Sequence, residues 1–255
     1  MNMFSSILIA GAILTSTSFV SCGHITVETD EEYTRDKEKG VSVTIKNSQQ
    51  LDFKDFDKIE AHGASTIVLT QSEEFGVAIT GDEQAKKHIS FSLEGDKLVI
   101  DEKSNWLERL DRGKYEIHIR LPKLTSFELS GANSTRCTNT FKQDEALFLD
   151  LSGAGSIKLD VEAPSLVIDA GGASSIVLKG RVDNFEVDMS GAGSLNAMDL
   201  ETNNAVISSS GAGSVSVWAN QKLKVDASGV GAVKYKGDAQ LTKSVSGMAS
   251  VKKVE

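Results

Sequence analysis

One short element recurs down the second half of this chain. It reads SGANS at 130–134, SGAGS at 152–156, GGASS at 171–175, SGAGS at 190–194 and again at 210–214, SGVGA at 228–232 and SGMAS at 246–250. Taking the glycine at the second position as origin gives Gly131, Gly153, Gly172, Gly191, Gly211, Gly229 and Gly247, spaced 22, 19, 19, 20, 18 and 18 residues apart. A fixed period near 20 residues is the signature of a solenoid, in which each repeat buries its apolar face only against its neighbours.

The residues around each origin say which kind of solenoid. Four before the glycine stand Phe127, Leu149, Ile168, Val187, Ile207 and Val225; two before stand Leu129, Leu151, Ala170, Met189, Ser209, Ala227 and Val245. Between these, three before, come Glu128, Asp150, Asp169, Asp188, Ser208, Asp226 and Ser244. This alternation is the period-2 pattern of a strand with one buried face. After the glycine comes a small or apolar residue, then an inward column of Thr135, Ile157, Ile176, Leu195, Val215, Val233 and Val251. Two residues further on the inward positions are Cys137, Leu159, Leu178, Ala197, Val217 and Tyr235. Each unit therefore reads as strand, small-residue corner and strand, followed by a polar turn such as RVDN at 181–184 or ETNN at 201–204.

Identity this tight, column by column, favours a parallel β-helix over a meander of hairpins, because only coils stacked about 4.8 Å apart bring equivalent residues together. The glycines then allow a sharp corner and close coil-to-coil approach. A phosphate-binding loop is the competing reading. It needs a helix N-terminus behind the glycines, and strand-forming residues follow here instead.

An earlier coil is legible in KIEAHGASTIVL at 58–69, with Gly63 at the origin, Ile59, Ala61, Ile67 and Leu69 inward and Glu60 outward. Between it and Gly131 lie alternating segments joined by glycine-containing turns, read as an antiparallel insertion over 71–126 that caps the first coils. Regular coils occupy 127–253. At the far end Lys243 and Lys253 fall in columns that are apolar above, a device that keeps an exposed edge from pairing with another chain.

The N-terminus carries ILIAGAIL at 7–14, an apolar run too short to cross a bilayer as a helix, followed by FVSC at 19–22. This is the pattern of a lipoprotein signal, with 1–21 removed and lipid carried on Cys22. Residues 22–40 are highly charged and read as a tether, leaving 41–255 as the folded domain. Cys137 is then the one remaining cysteine, so no intramolecular disulfide forms. The net charge of −9 argues against a nucleic-acid partner, and the lysines and arginines are not expected to cluster into the basic face that phosphate binding needs.

The corner repeat, DFDKIEAHGAS at 55–65, EGDKLVIDEK at 94–103 and IHIRLPKLTSFELSGA at 117–132 together resemble the head GIN domain family of bacterial envelope proteins, described as auto-transporter adhesins. The resemblance covers about residues 52–253. It implies an all-β, right-handed parallel β-helix on an exported protein, and it brings no catalytic residues with it.

Four sets of side chains merit examination as sites. The outward acidic column Glu128, Asp150, Asp169, Asp188 and Asp226, led by Glu60, is a possible ligand or cation face. One carboxylate per coil is a sparse set for calcium, which takes about six to eight oxygens, so no metal or other cofactor is expected. His24, His62, His88 and His118 are scattered without metal-ligand spacing. Cys137 falls in an inward column and reads as a core residue. Trp218 follows inward Val217 and is expected to face out, while Trp106 lies in SNWLERLDRG at 104–113; exposed indoles hold sugar rings or partner surfaces.

The leading expectation is a non-enzymatic, lipid-anchored binding or adhesion module of the outer membrane, on its cell-surface or periplasmic side, presenting a β-helical face to a glycan or protein. A structural scaffold that forms homo-oligomers is the second reading. A polysaccharide-cleaving β-helix enzyme is the third, and coils this short leave little chain for the loops that build a catalytic cleft.

Overall fold

The computed structural model describes residues 34–36, 40–44, 51, 53–82, 88–102 and 114–254. Their regular secondary structure is entirely β. A first hairpin, β1 (Thr34–Asp36) and β2 (Gly40–Thr44), is followed by β3 (Lys58–Gly63), β4 (Thr66–Gln71), β5 (Gly76–Gly81), β6 (Ile89–Glu94), β7 (Lys97–Glu102) and β8 (Tyr115–Leu121). The repeat region contains β9 (Ser126–Gly131), β10 (Ser134–Cys137), β11 (Phe141–Lys142), β12 (Leu147–Gly153), β13 (Ser156–Gly172), β14 (Ser175–Gly191), β15 (Ser194–Gly211) and β16 (Ser214–Gly229). The chain closes with β17 (Ala232–Lys236), β18 (Gln240–Val245) and β19 (Ser250–Lys253). Eight corner glycines from Gly63 to Gly247 have positive φ and delimit a β-solenoid of about seven turns.

The register is the one the columns require. Leu149 lies beside Ile168, Ile168 beside Val187, Val187 beside Ile207 and Ile207 beside Val225, all in parallel ladders. These inward side chains are buried and form one continuous core with the return-side column Ile157, Ile176, Leu195 and Val215. Each such side chain contributes about 1.5–3 kcal/mol relative to exposure. At the corners the φ of Gly191 is +118° and that of Gly211 is +120°, and a Cβ on either would strike the carbonyl oxygen of the glycine one coil earlier. The amide after each glycine donates to that same carbonyl, as in Ala192 N to Gly172 O at 2.8 Å and Ala212 N to Gly191 O at 2.9 Å. The corner is a hydrogen-bonded stack, and a side chain on its glycine would push the coils apart.

The opposite end of each coil corrects one expectation. Residues 181–184 and 201–204 are not turns; the backbone stays in the ladder through them. The coil bends there by switching which parity faces inward: Ile176, Leu178 and Val182 are buried, then Phe185, Val187 and Met189. Polar residues that look like a turn in one sequence stack instead on their counterparts. Asn204 Nδ2 donates to Asn184 Oδ1 at 3.2 Å, and buried Thr202 donates its hydroxyl proton to Trp218 O at 2.7 Å.

The insertion is only partly antiparallel. β5 pairs antiparallel with β8 and β6 with β7, yet β7 lies parallel on β3 and β8 parallel on β4. The β7–β8 segment is therefore a further layer placed out of sequence order: the chain lays down β3 and β4, adds this layer on one side, then returns to continue with β9 on the other. Glu102 occupies the place of a corner glycine in that layer, its Oε2 accepting from Ala64 N at 2.6 Å. Within the expected tether, the backbone of Thr34–Asp36 and Gly40 belongs to the first hairpin, whose second strand pairs antiparallel with β6. The alternating GVSVT of β2 suits the edge that β6 offers. At the other end β18 pairs among the described strands with β16 and β19 with β17, leaving their outer edges open.

Candidate functional site

Each coil has two outer surfaces, the approach side ahead of the corner glycine and the return side after it. On the approach side the acidic column forms as one ladder: Glu60 beside Glu128, Glu128 beside Asp150, Asp150 beside Asp169 and Asp169 beside Asp188, then Ser208, Asp226 and Ser244. Alternation forces this, since both neighbours of each carboxylate along its strand are buried. Like charges about 5 Å apart in water repel by about 0.8 kcal/mol per adjacent pair. Among the described residues a cation offsets this repulsion at the Glu60 end only. Lys97 Nζ donates to Glu60 Oε2 at 2.7 Å and to Glu128 Oε1 at 3.2 Å. Its ammonium, and then burial working the other way, set the Glu60 carboxyl below its ordinary value. Asp150 has no such partner; partial burial first, and then Asp169 and Glu128, push its carboxyl up.

A shallow cleft of about 130 Å³ lies over this end, lined by Glu60, His62, Glu128, Ser130, Asp150 and Ser152. Within it His62 Nδ1 lies 2.6 Å from Ser130 Oγ, and His62 Nε2 lies 2.9 Å from Glu60 Oε1. An acid, a histidine and a serine in a line is the arrangement that activates a nucleophile. Here the surroundings do not complete it. Ser130 sits inside β9 between two in-register parallel strands that take up the backbone amides, and Ala132 N donates to Gly63 O at 2.7 Å, so no amide pair is left to hold an oxyanion. Among the described residues no group of three or more His, Cys, Asp or Glu could hold a metal ion.

Two features escaped sequence reasoning. Beside the acidic column runs a second outward column in which Phe148, 52% exposed, lies beside half-buried Val167, and Val206, 40% exposed, follows after Glu186. Its signal was present in LFL at 147–149, where a large apolar residue stands at an outward position. On the return side the register gathers basic residues that are far apart in sequence. Arg136 lies beside Lys158, and Lys234 beside Lys252, in a single outward column that also contains Val177, Asn196 and Ser216. Two basic pairs thus form on this surface with the three uncharged residues between them, where the sequence reading expected no clustering. Arg136 also donates to Glu116 at 3.0 Å, which holds the Glu116 carboxyl below its ordinary value.

The remaining candidates divide. Trp218 is partly buried, its Nε1 donates to Asn220 Oδ1 at 2.9 Å, and the Lys236 ammonium lies 4.2 Å from the ring centroid. The indole is thus engaged by Asn220 of its own coil at the ring nitrogen and by Lys236 of the next coil over one face. Cys137 is half-buried at the edge of the core, its Sγ accepts from Asp160 N at 3.1 Å, and burial pushes the thiol up. His118 lies 3.1 Å from Thr80 Oγ1 on the outer surface of β8. Trp106 and Cys22 lie outside the described residues.

The fold recurs in solved structures. A putative adhesin from Bacteroides fragilis is 23% identical, with a TM-score of 0.76 over 82% of this chain and 96% of that one. A putative lipid binding protein from Parabacteroides distasonis is 22% identical with a TM-score of 0.65, and a putative adhesin from Parabacteroides merdae 20% identical with a TM-score of 0.58, each over the same shares of the two chains. No curated protein matches the chain. Residues 55–239 match the family model described as "Putative auto-transporter adhesin, head GIN domain", which includes every corner from Gly63 to Gly229, and the chain belongs to that family.

Proposed function

We propose that this protein is a non-enzymatic binding module of the bacterial envelope, held to the membrane by lipid on Cys22, whose approach-side surface engages a glycan or protein. The observation that carries this reading is the combination on one surface of a carboxylate ladder, Asp150, Asp169 and Asp188, that has no cation beside it among the described pairs, with the neighbouring apolar pair of exposed Phe148 and half-buried Val167. Carboxylates that accept from hydroxyl, amide or ammonium groups beside apolar contact area are the two ingredients of a recognition surface. The adhesin names of the family and of its structural relatives support the same reading, and the lipid-binding name belongs to the relative that bears it. Membership of an adhesin-like family supports a cell-surface or envelope location.

The test is a binding array of envelope glycans, host glycans and basic proteins, probed with the wild type and with an Asp150→Lys/Asp169→Lys/Phe148→Ser variant of equal thermal stability. The reading predicts retained ligands that the variant loses. An empty array, or binding unchanged in the variant, refutes it. Hydrolysis of activated esters or polysaccharides that Ser130→Ala abolishes would replace it with an enzymatic function.

A further inference from the structure

Charge is not spread evenly along the solenoid. Residues 126–200 hold eleven carboxylates and five basic side chains, and residues 201–220 carry one charged residue, Glu201. Residues 221–254, which build the last two coils, hold seven lysines against Asp226 and Asp238. Lys243 and Lys253 stand in the inward columns of the final strands, beside Val225 and Tyr235, and no described strand covers the outer edges of β18 and β19. Lys252 lies on that same edge, with Lys234 its neighbour one coil in. Asp238 pairs with Lys253 at 3.4 Å and Lys236 lies over Trp218, while Lys222, Lys224, Lys234, Lys243 and Lys252 are exposed with no ion-pair partner among the described residues. The same end carries three of the five exposed large apolar side chains of the described residues: Val230 at 51%, Val245 at 41% and Met248 at 75%. The position after the corner glycine is alanine in the five coils from Ala132 to Ala212 and becomes Val230 and Met248 only in the last two.

Lysines on an open strand edge also keep it from pairing with another chain. That device needs charges on the edge alone, whereas Lys222, Lys224, Lys234 and Lys236 lie one coil in, and it gives no reason to expose Met248 and Val245 beside them. We propose that this end of the solenoid docks on an anionic phospholipid surface, with Lys234, Lys243 and Lys252 among the lipid phosphates and Met248 and Val230 in the interface. Such a surface selects basic side chains together with protruding apolar ones, because the phosphates attract the ammonium groups and the headgroup boundary takes up the methyls. An acidic polysaccharide would use the lysines and leave the apolar side chains in water. The net charge of −9 does not prevent the contact. At about 0.1 M salt the field of the surface extends about 10 Å, or about two coils at a spacing of about 4.8 Å. Asp226 is the one ladder carboxylate within that reach; the unbroken acidic run ends at Asp188, three coils in from the last.

The test is flotation of the full chain, made in a cell-free reaction so that no lipid is attached to it, with vesicles of phosphatidylcholine alone or of equal parts phosphatidylcholine and phosphatidylglycerol. Binding to the anionic vesicles at about 0.1 M salt is expected to be about tenfold or more tighter than to the neutral ones, and to weaken as strongly at about 1 M salt. Any attachment through the apolar run at 7–14 is common to all variants and indifferent to lipid charge. A lysine near such a surface is worth about fivefold, so Lys234→Gln/Lys243→Gln/Lys252→Gln should lose about a hundredfold, and Met248→Ser several-fold. Lys142→Gln/Lys158→Gln/Lys179→Gln makes the same change in net charge within the acidic coils and should lose less than about threefold. No preference for anionic vesicles, or equal losses in the two triple variants, overturns the inference. Tighter retention on an acidic polysaccharide than on vesicles, with Met248→Ser unchanged on both, overturns it in favour of a glycan. This end shares no residue with the recognition surface proposed above, so either can fail alone.

Discussion

Adjacent glycines in one coil offer a sharp test of the corner stack. Gly172 has φ +81° and its added Cβ would meet the carbonyl oxygen of Gly153, whereas the nearest heavy atom to a Cβ on Gly171 is Ser190 Oγ at 3.9 Å. Gly171 occupies the outward column that holds Ser130, Ser152, Ser190 and Ser210 in other coils, so a side chain there meets solvent. Gly→Ala narrows the unfolded ensemble at both sites, which stabilises by about 0.4–1 kcal/mol where the native backbone accepts it. At Gly171 that gain stands. At Gly172 left-handed strain of about 1–3 kcal/mol opposes it, and the collision adds more, because the carbonyl it strikes is the acceptor for Ala173 N at 2.8 Å. The net expectation is a loss of about 2 kcal/mol or more for Gly172→Ala and a gain of about 0.5 kcal/mol for Gly171→Ala. At about 2–4 °C per kcal/mol the two melting temperatures should separate by about 5 °C or more. Calorimetry on the two variants and the wild type decides it. Equal melting temperatures would mean that the coils are not stacked through their corner glycines, and the explanation of the repeat would fall.

Other perturbations follow from single contacts. Thr135 stands in a column of Ile67 and Ile157 with its hydroxyl buried and unpartnered, so Thr135→Val should stabilise by about 1 kcal/mol in urea titration. Buried Asn133 accepts from Ser65 N at 3.0 Å and donates to Ser130 O at 2.7 Å; Asn133→Ala leaves both without it and should cost about 2 kcal/mol in the same assay. The lowered Glu60 carboxyl contributes stability that is present above its ordinary value near 4.5 and lost as pH falls through its lowered one. Lys97→Ala should remove that contribution, about 1 kcal/mol or less for a partly exposed pair, and flatten the acid limb of a stability-versus-pH curve. The raised Asp150 carboxyl has the opposite sign: stability falls as pH rises through its folded value, so Asp150→Asn should be slightly more stable than wild type at pH 7 and indistinguishable at pH 3.

The approach and return columns could be written down from spacing alone, because the corner glycine recurs in every coil from Gly131 to Gly247 and strand alternation leaves no freedom between corners. The acidic ladder from Glu60 to Asp226 follows from the same counting, and it forms as counted. The far bend was misread for a physical reason. A polar tetrad such as RVDN breaks a lone strand, but in a solenoid the coils above and below supply ladder partners through most of it, and the inward parity changes. The out-of-order layer was hidden because its corner lacks the glycine: Glu102 reaches over Gly63 instead, and nothing local in KLVIDE distinguishes a solenoid strand from half of a hairpin. The basic pairs were missed because their members are separated by whole coils. Arg136 and Lys158 are 22 residues apart and become neighbours only through the register. The apolar pair announced itself in Phe148, which sits between two inward leucines yet points outward.

The proposed function requires an envelope protein whose outer surfaces are available to partners outside the cell, and labelling of intact cells tests that most directly. Cells producing the chain are treated with a membrane-impermeant, amine-reactive biotin, which reaches the exposed Lys158 of a protein displayed outside. The predicted result is labelling of this lysine to the same extent before and after the cells are opened. Labelling that appears only after opening would contradict display at the cell surface and turn the search for partners to the inside of the envelope.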